Sequence, residues 1–230
     1  MSKLSFSAVI PAAGIGKRVG AQIPKQYLPL LDKTIIEHSI TPFLNHPDIN
    51  KVVVSIAKND QWFHLLDLAN HPKLTIVDGG EERVDSVLSA LKVLPDSDYI
   101  LVHDAARPCL QIQDIDKLIA HANTYKTGAI LGCRVRDTMK RTDLHNNIER
   151  TVDRNNLWHA LTPQMFNNQQ LISAITSTQE QRLITDEASA IELDGAAVTV
   201  IEGRSDNLKV TQPEDLLLAE FYLSKFNAHN

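Results

Sequence analysis

Cysteine is almost missing from this 230-residue chain: Cys109 and Cys133 are its only two, far apart and without metal-ligand spacing. A disulfide framework and a cysteine zinc site are thereby excluded, leaving packed or incidental thiols. Long apolar runs are missing too, and nothing approaches the roughly 18 residues needed to cross a bilayer. The apolar patch from Phe6 to Ala13 is short, preceded by a single Lys3 and interrupted by Ser7 and Pro11, which suits a buried strand better than a secretory signal. Nor is there a basic excess. Net charge is -5 and the pI about 6.0, so no nucleic-acid or membrane partner is expected, and the expected compartment is the cytoplasm. What is plentiful is core-forming material. At 43% hydrophobic over 230 residues, the chain can bury one substantial core, giving an expected single domain over 1–230.

One local absence is more pointed. From Met1 to Leu31 there is no acidic residue, although Lys3, Lys17, Arg18 and Lys25 all fall there. The centre of that region reads Pro11-Ala12-Ala13-Gly14-Ile15-Gly16-Lys17-Arg18, followed by Pro24-Lys25-Gln26. Glycines let backbone N–H groups approach phosphate oxygens, and the cations supply compensating charge, so the pattern suits a polyphosphate. Two familiar phosphate loops do not fit. A Walker A loop needs Ser or Thr after its lysine, where Arg18 stands; Gly14, Gly16 and Gly20 are spaced G-x-G-x-x-x-G rather than as a dinucleotide fingerprint. Taken alone, such a turn is also what an ordinary strand-to-helix connection looks like.

Apolar, β-branched runs alternate with helical patterns: Phe6 to Ala12, Val52 to Ala57, Leu74 to Val77, Tyr99 to His103 and Ala129 to Val135 read as buried parallel strands. Between them, Glu82 to Leu94 carries Val84, Val87, Leu88 and Leu91 on one helical face. Thr34 with Glu37, and Thr211 with Glu214, have capping-box spacing, the second introducing a C-terminal helix through Phe226. The alternation predicts an α/β fold, a doubly wound and mostly parallel sheet, with the loops after Ala12, Val77 and Val102 converging on one crevice. Residues 134–156 break the pattern. This stretch is nearly all polar, cannot form its own core, and turns at Asp143 to Asn147, which predicts an extended hairpin arm. Isolated hairpins are marginal, so the expected support is a second subunit.

Three further segments carry candidate chemistry. In Gly79-Gly80-Glu81-Glu82-Arg83-Val84-Asp85-Ser86, Gly80 permits close backbone approach and Ser86 can bond a flat polar ligand such as a base. In His103-Asp104-Ala105-Ala106-Arg107-Pro108, a carboxylate at a strand tip can hold a metal. Magnesium takes one or two carboxylates plus phosphates and waters, so Asp104, joined by Asp206, would suffice; the competing reading is a capping aspartate paired with Arg107. His103 is expected to pack or hydrogen-bond locally. Arg154, in Thr151-Val152-Asp153-Arg154-Asn155, could clamp a phosphate bidentately, Thr185-Asp186-Glu187-Ala188 reads as a helix start, and Lys209 offers a cation at a short strand.

Together and in this order, PAAGIGKRV, PKQY, HDAARP, RDTMKR, TVDRNNLWHALTPQ, TDEASA and EGRSDNLKVT resemble the 2-C-methyl-D-erythritol 4-phosphate cytidylyltransferase family over nearly the whole chain. The resemblance implies a Rossmann-like nucleotidyltransferase fold, CTP and 2-C-methyl-D-erythritol 4-phosphate as substrates, Mg2+ as cofactor, and a homodimer with arm exchange. It implies Arg18 and Lys25 at the transition state, and Pro11, Ala12, Ala13, Gly14, Ile15, Gly16, Gly80, Glu81, Arg83, Ser86 and Ala105 around the nucleotide. Thr138, Arg154, Lys209, Arg107, Thr162 and Thr185 would meet the second substrate, with Thr138 and Arg154 coming from the partner's arm, and Asp104 and Asp206 would meet the metal. Glu81 stands where many relatives carry aspartate, so only a backbone contact is carried over there. A phosphate monoester is already largely ionised at neutral pH and can be its own nucleophile, consistent with a sequence showing no Ser-His or Cys-His dyad. Competing readings are a ribitol 5-phosphate cytidylyltransferase and a non-catalytic nucleotide-sensing module.

Overall fold

A computed structural model describes residues 3–14, 23–178 and 183–227. In chain order it contains β1 (Phe6–Pro11), β2 (Pro29–Leu30), β3 (Lys33–Thr34), α1 (Ile35–Asn45), β4 (Ile49–Ile56), β5 (Leu74–Asp78), α2 (Arg83–Leu91), β6 (Tyr99–Val102) and α3 (Ile112–Tyr125). There follow β7 (Ala129–Arg134), β8 (Met139–Thr142), β9 (Ile148–Val152), β10 (Trp158–Asn167), α4 (Asn168–Ser177), α5 (Glu187–Leu193), β11 (Thr199–Glu202) and α6 (Pro213–Asn227). Seven described strands form one sheet in the order β11-β7-β10-β6-β1-β4-β5. Every pairing is parallel except those of β10, which runs antiparallel between β6 and β7.

The apolar runs form strands because both sheet faces are covered. Along β1, Ala8 and Ile10 enter a core with Ile36, Ile40 and Phe43 of α1 and Leu118 of α3. Val9 points the other way, into a core with Val87 and Leu91 of α2 and Leu171 of α4. Strand periodicity therefore sends alternate residues of one buried strand into two separate helix layers. Strand β1 has β4 on one side and β6 on the other, so successive connections diverge beside it and leave a crevice outside the carboxyl ends of β1 and β6.

The helix signals hold with two corrections, at the starts of α2 and α6. Thr34 Oγ1 accepts from Glu37 N, and Glu37 Oε2 accepts from Thr34 N at 2.8 Å, the reciprocal capping box. In α2, Glu82 is the cap rather than the first helical residue, and Asp85 Oδ2 accepts from its N–H. At α6 the partner of Thr211 is Asp215, not Glu214: Asp215 Oδ2 accepts from the N–H groups of Thr211 and Gln212 and from Thr211 Oγ1. Because the helix begins at Pro213, its third residue is Asp215, and the reach-back carboxylate shifts by one. Residues 206–211, expected to include a short strand, form a loop instead, tied to the turn after β6 by Val210 N donating to Ala106 O at 2.8 Å.

The arm is a hairpin of its own. Strands β8 and β9 pair only with each other among the described strands, every residue of β8 is exposed, and Leu144 at the turn is fully exposed. Asp143 Oδ1 accepts from the N–H groups of His145 and Asn147, closing the expected turn.

Replacing Thr34 by alanine removes one half of its capping box and should lower the unfolding free energy by about 1 kcal/mol. Urea unfolding checks this, and an unchanged midpoint would show that the box contributes nothing.

Candidate functional site

Three loops meet at the crevice. A pocket of about 220 Å³ is lined by Pro11, Ala12, Ala13 and Gly14 after β1, by Gly80 to Arg83 and Ser86 after β5, and by Asp104 to Ala106 after β6. Lys25, Gln26 and Lys209 complete the described wall. The expected residues Ile15, Gly16 and Arg18, with Lys17, lie outside the described residues.

Each wall has a local cause. Gln26, buried, donates through Nε2 to Ala12 O at 2.8 Å and to Gly14 O at 3.1 Å, so a side chain from the following turn holds the first glycine loop open. Gly80 is needed because a Cβ there would lie 2.1 Å from Asp85 Cβ; the first turn of α2 closes on it. Ser86, expected to face a base, lines the pocket, but its hydroxyl accepts from Gly80 N at 3.1 Å and so also builds the turn. Lys25, which begins a short 3-10 turn and lines the pocket, donates through Nζ to Val210 O at 2.9 Å.

Asp104 is the electrostatic centre. Only 9% exposed, its carboxylate lies 2.9 Å from Lys209 Nζ, 3.4 Å from Arg83 Nη2 and 3.4 Å from Arg107 Nε. Burial alone would raise its pKa, but Arg83, Lys209 and Arg107 together outweigh burial and hold it well below the usual carboxylate range. Arg83 in turn is bound by Glu187, with Nη1 to Oε1 at 2.6 Å and Nη2 to Oε2 at 3.0 Å. Burial opposes its charge, yet Glu187 and Asp104 keep its pKa above the ordinary value.

Behind the pocket, the neighbours of Asp104 are locked. Thr162 Oγ1 accepts from Asp104 N at 3.1 Å and donates to His103 Nδ1 at 2.9 Å, while His103 Nε2 donates to Arg107 O at 3.1 Å. This arrangement requires neutral imidazole, protonated on Nε2. Burial pushes the His103 pKa down to about 4, in keeping with the local packing role expected of it. Arg107 and Thr162, expected against a substrate, support Asp104 from within the protein: Arg107 Nη1 donates to Asn207 O at 2.7 Å, and Asn207 Nδ2 donates to Thr162 O at 2.7 Å.

Other expected residues are not brought to the pocket. Asp206 binds Arg204 through both oxygens, at 2.9 and 2.5 Å, and does not join Asp104; the guanidinium two residues before it takes the carboxylate. Thr185 is exposed at the start of α5, its N–H donating to Ser189 Oγ. Thr138 is exposed at the base of the arm, and Arg154 donates to Arg136 O there, beside a second cavity of about 420 Å³ that also includes Arg134 and Ser205. Gln26, Glu82, Ala106 and Glu187 were not singled out from the sequence. Glu187 is 104 residues from Arg83, and nothing local signals their contact.

Among the described residues no three His, Cys, Asp or Glu side chains gather as a metal group. Asp104 alone suits a divalent cation whose other ligands are phosphate oxygens and water. Its present cations would exchange their carboxylate for the incoming phosphates, so the donor set fits a metal delivered with a polyphosphate.

The comparisons agree with this geometry. The family profile described as IspD, 2-C-methyl-D-erythritol 4-phosphate cytidylyltransferase, matches residues 6–225. A 2-C-methyl-D-erythritol 4-phosphate cytidylyltransferase of Escherichia coli O127:H6 is 53% identical over 224 residues, covering 96% of this chain and 95% of that protein. The crystal structure of a 4-diphosphocytidyl-2C-methyl-D-erythritol synthase superposes with a TM-score of 0.83 at 35% identity, covering 96% of this chain and all of that one. The Francisella tularensis cytidylyltransferase gives 0.81 at 35% identity, with 95% and 99% coverage.

Neutral His103 makes stability depend on acid. Its folded pKa lies below the ordinary 6.5, so the unfolded chain takes up the proton first, and stability present above pH 6.5 is lost as pH falls toward 4. The loss should amount to about 3 kcal/mol, read by urea unfolding across that range, and should flatten in His103→Gln. An equal slope in both proteins would contradict the assignment.

Proposed function

The chain belongs to the IspD family of 2-C-methyl-D-erythritol 4-phosphate cytidylyltransferases, and from that premise we propose that it couples CTP to 2-C-methyl-D-erythritol 4-phosphate. The products are 4-diphosphocytidyl-2-C-methyl-D-erythritol, an intermediate on the route to isoprenoids, and pyrophosphate. The observation that carries the reading is the crevice at the ends of β1 and β6, where two glycine turns and the cations Lys25, Arg83 and Lys209 line one pocket, the latter two paired with Asp104.

The reaction needs little covalent help from protein. An oxygen of the methylerythritol phosphate forms a bond to the α-phosphorus of CTP, and the bond from that phosphorus to the bridging oxygen breaks, releasing pyrophosphate. Catalysis then rests on in-line placement and on positive charge over the reacting phosphoryl group. Lys25, held by Val210 O, and Arg18 are proposed for that charge. The loop Pro11 to Gly16 and the turn Gly80 to Ser86 would hold the nucleotide, with Ala105 against it. Lys209 would meet the second phosphate once drawn from Asp104. Magnesium bound at Asp104 would neutralise the triphosphate and assist departure of pyrophosphate; Asp206, engaged by Arg204, is not proposed as a ligand.

The arm supports a shared site. Thr138 and Arg154 do not line the described pocket of their own chain, yet they belong to a polar hairpin without a core. We propose a homodimer in which each arm, residues 134–156, crosses to the partner and presents these two residues to its methylerythritol phosphate. A cytoplasmic location fits the charged substrates, and no helix among the described residues is long and apolar enough to cross a membrane.

Lys25→Ala should lower kcat by roughly 10²–10³, equivalent to about 2.7–4 kcal/mol, with CTP affinity much less affected. Steady-state pyrophosphate release with calorimetric CTP binding checks this; near-normal turnover would remove Lys25 from the transition state. For the shared site, Lys25→Ala and Arg154→Ala proteins, each nearly inactive, are mixed and re-equilibrated. Heterodimers then contain one intact site, so activity should recover to about a quarter of the unmodified level. Failure to recover, with heterodimers demonstrated by native mass spectrometry, rules out arm exchange.

A further inference from the structure

Glu187 has no place in the chemistry above, yet it is among the best-placed carboxylates near the pocket. Its side chain is 3% exposed, and both oxygens bind Arg83, at 2.6 and 3.0 Å. The same Arg83 Nη2 lies 3.4 Å from Asp104 Oδ1. One guanidinium is therefore divided between two carboxylates, and the closer, two-oxygen partner is Glu187.

Glu187 is itself fixed from both sides. Its predecessor Asp186 caps α5, with Oδ1 accepting from Ser189 N at 2.9 Å. Gln164 of β10 donates through Nε2 to Asp186 Oδ2 at 2.8 Å and accepts through Oε1 from Ala188 N at 2.9 Å. A buried amide thus grips the residues before and after Glu187, setting where its carboxylate points.

A half-buried guanidinium that loses its two-oxygen partner closes on another carboxylate already within reach, because a charge left uncompensated there is costly. For Arg83 the alternative is Asp104. A two-point Arg83–Asp104 pair would occupy the oxygens that a divalent cation needs. We propose that Glu187 is a positioning residue: it restrains Arg83 so that Asp104 keeps an oxygen for the cation accompanying the nucleotide. This rests on the assignment of Asp104 as the metal ligand. A pair serving merely to tie α5 to α2 would affect melting without altering the dependence on cation.

The test is calorimetric binding of CTP to the full-length protein over a magnesium series, with circular dichroism establishing that each variant is folded. Glu187→Gln should raise the magnesium concentration for half-maximal CTP binding about tenfold, through the loss of this one positioning contact. Adding Glu187→Gln to an Arg83→Gln protein should leave the midpoint within about twofold of that of Arg83→Gln itself, since the side chain that would block Asp104 is already gone. Glu187→Asp keeps the charge but shortens the reach; it should shift the midpoint in the same direction and carries the test if Glu187→Gln does not fold. A midpoint unchanged in both Glu187 single variants, or a roughly tenfold shift that Glu187→Gln still produces in the Arg83→Gln background, overturns the proposal. Asp104→Asn separates the premise: magnesium dependence surviving there would overturn the metal assignment itself, whereas its loss beside an unshifted Glu187 variant removes Glu187 alone.

Discussion

A buried carboxylate that must be neutralised organises this site. Asp104 sits at the end of β6, 9% exposed, where an unpaired charge would cost several kcal/mol. Its compensation comes from Arg83 at the start of α2, Arg107 in its own loop and Lys209 in the segment before α6. Those three segments are far apart in sequence, and the demand for charge balance draws them around one point. The same cluster explains why the pocket suits a polyanion. Lys209 and Arg83 both reach into it while sharing Asp104, at 2.9 and 3.4 Å, and phosphate oxygens offer such cations more acceptors.

The frame beneath is stiff. Strands β1, β4 and β6 are buried on both faces, between α1 and α3 on one side and α2 and α4 on the other. Loops leaving such strands inherit fixed starting points, and side-chain bonds such as Gln26 to Ala12 O and Thr162 to Asp104 N extend that order into the crevice. The arm is the opposite case. With Leu144 fully and Ile148 largely exposed, it carries little intrachain cover.

Much of this was legible in the residues. Continuous apolar runs implied strands covered twice, because that signal is local and repeated, and the acid-free N-terminal segment contributes Pro11 to Gly14 and Lys25 to the pocket wall. The antiparallel placement of β10 was not, since it depends on the arm returning the chain to the sheet between β6 and β7. Asp206 was read as a possible metal ligand because spacing could not show that Arg204 would take both its oxygens. The Glu187–Arg83 pair escaped for a related reason: a contact between two helix starts on different connections leaves no periodic trace. Thr211 was assigned to Glu214 instead of Asp215 because the helix begins at Pro213, one residue later than the spacing assumed.

The central claim is that this charge cluster reorganises around a nucleotide triphosphate. A crystal structure of the protein with CTP and magnesium tests it most directly. The account predicts the triphosphate between the Gly14 loop and Lys25, the metal on an Asp104 oxygen, and Lys209 drawn away from that carboxylate. Nucleotide bound elsewhere, with Asp104 still clasped by Arg83 and Lys209, would contradict it.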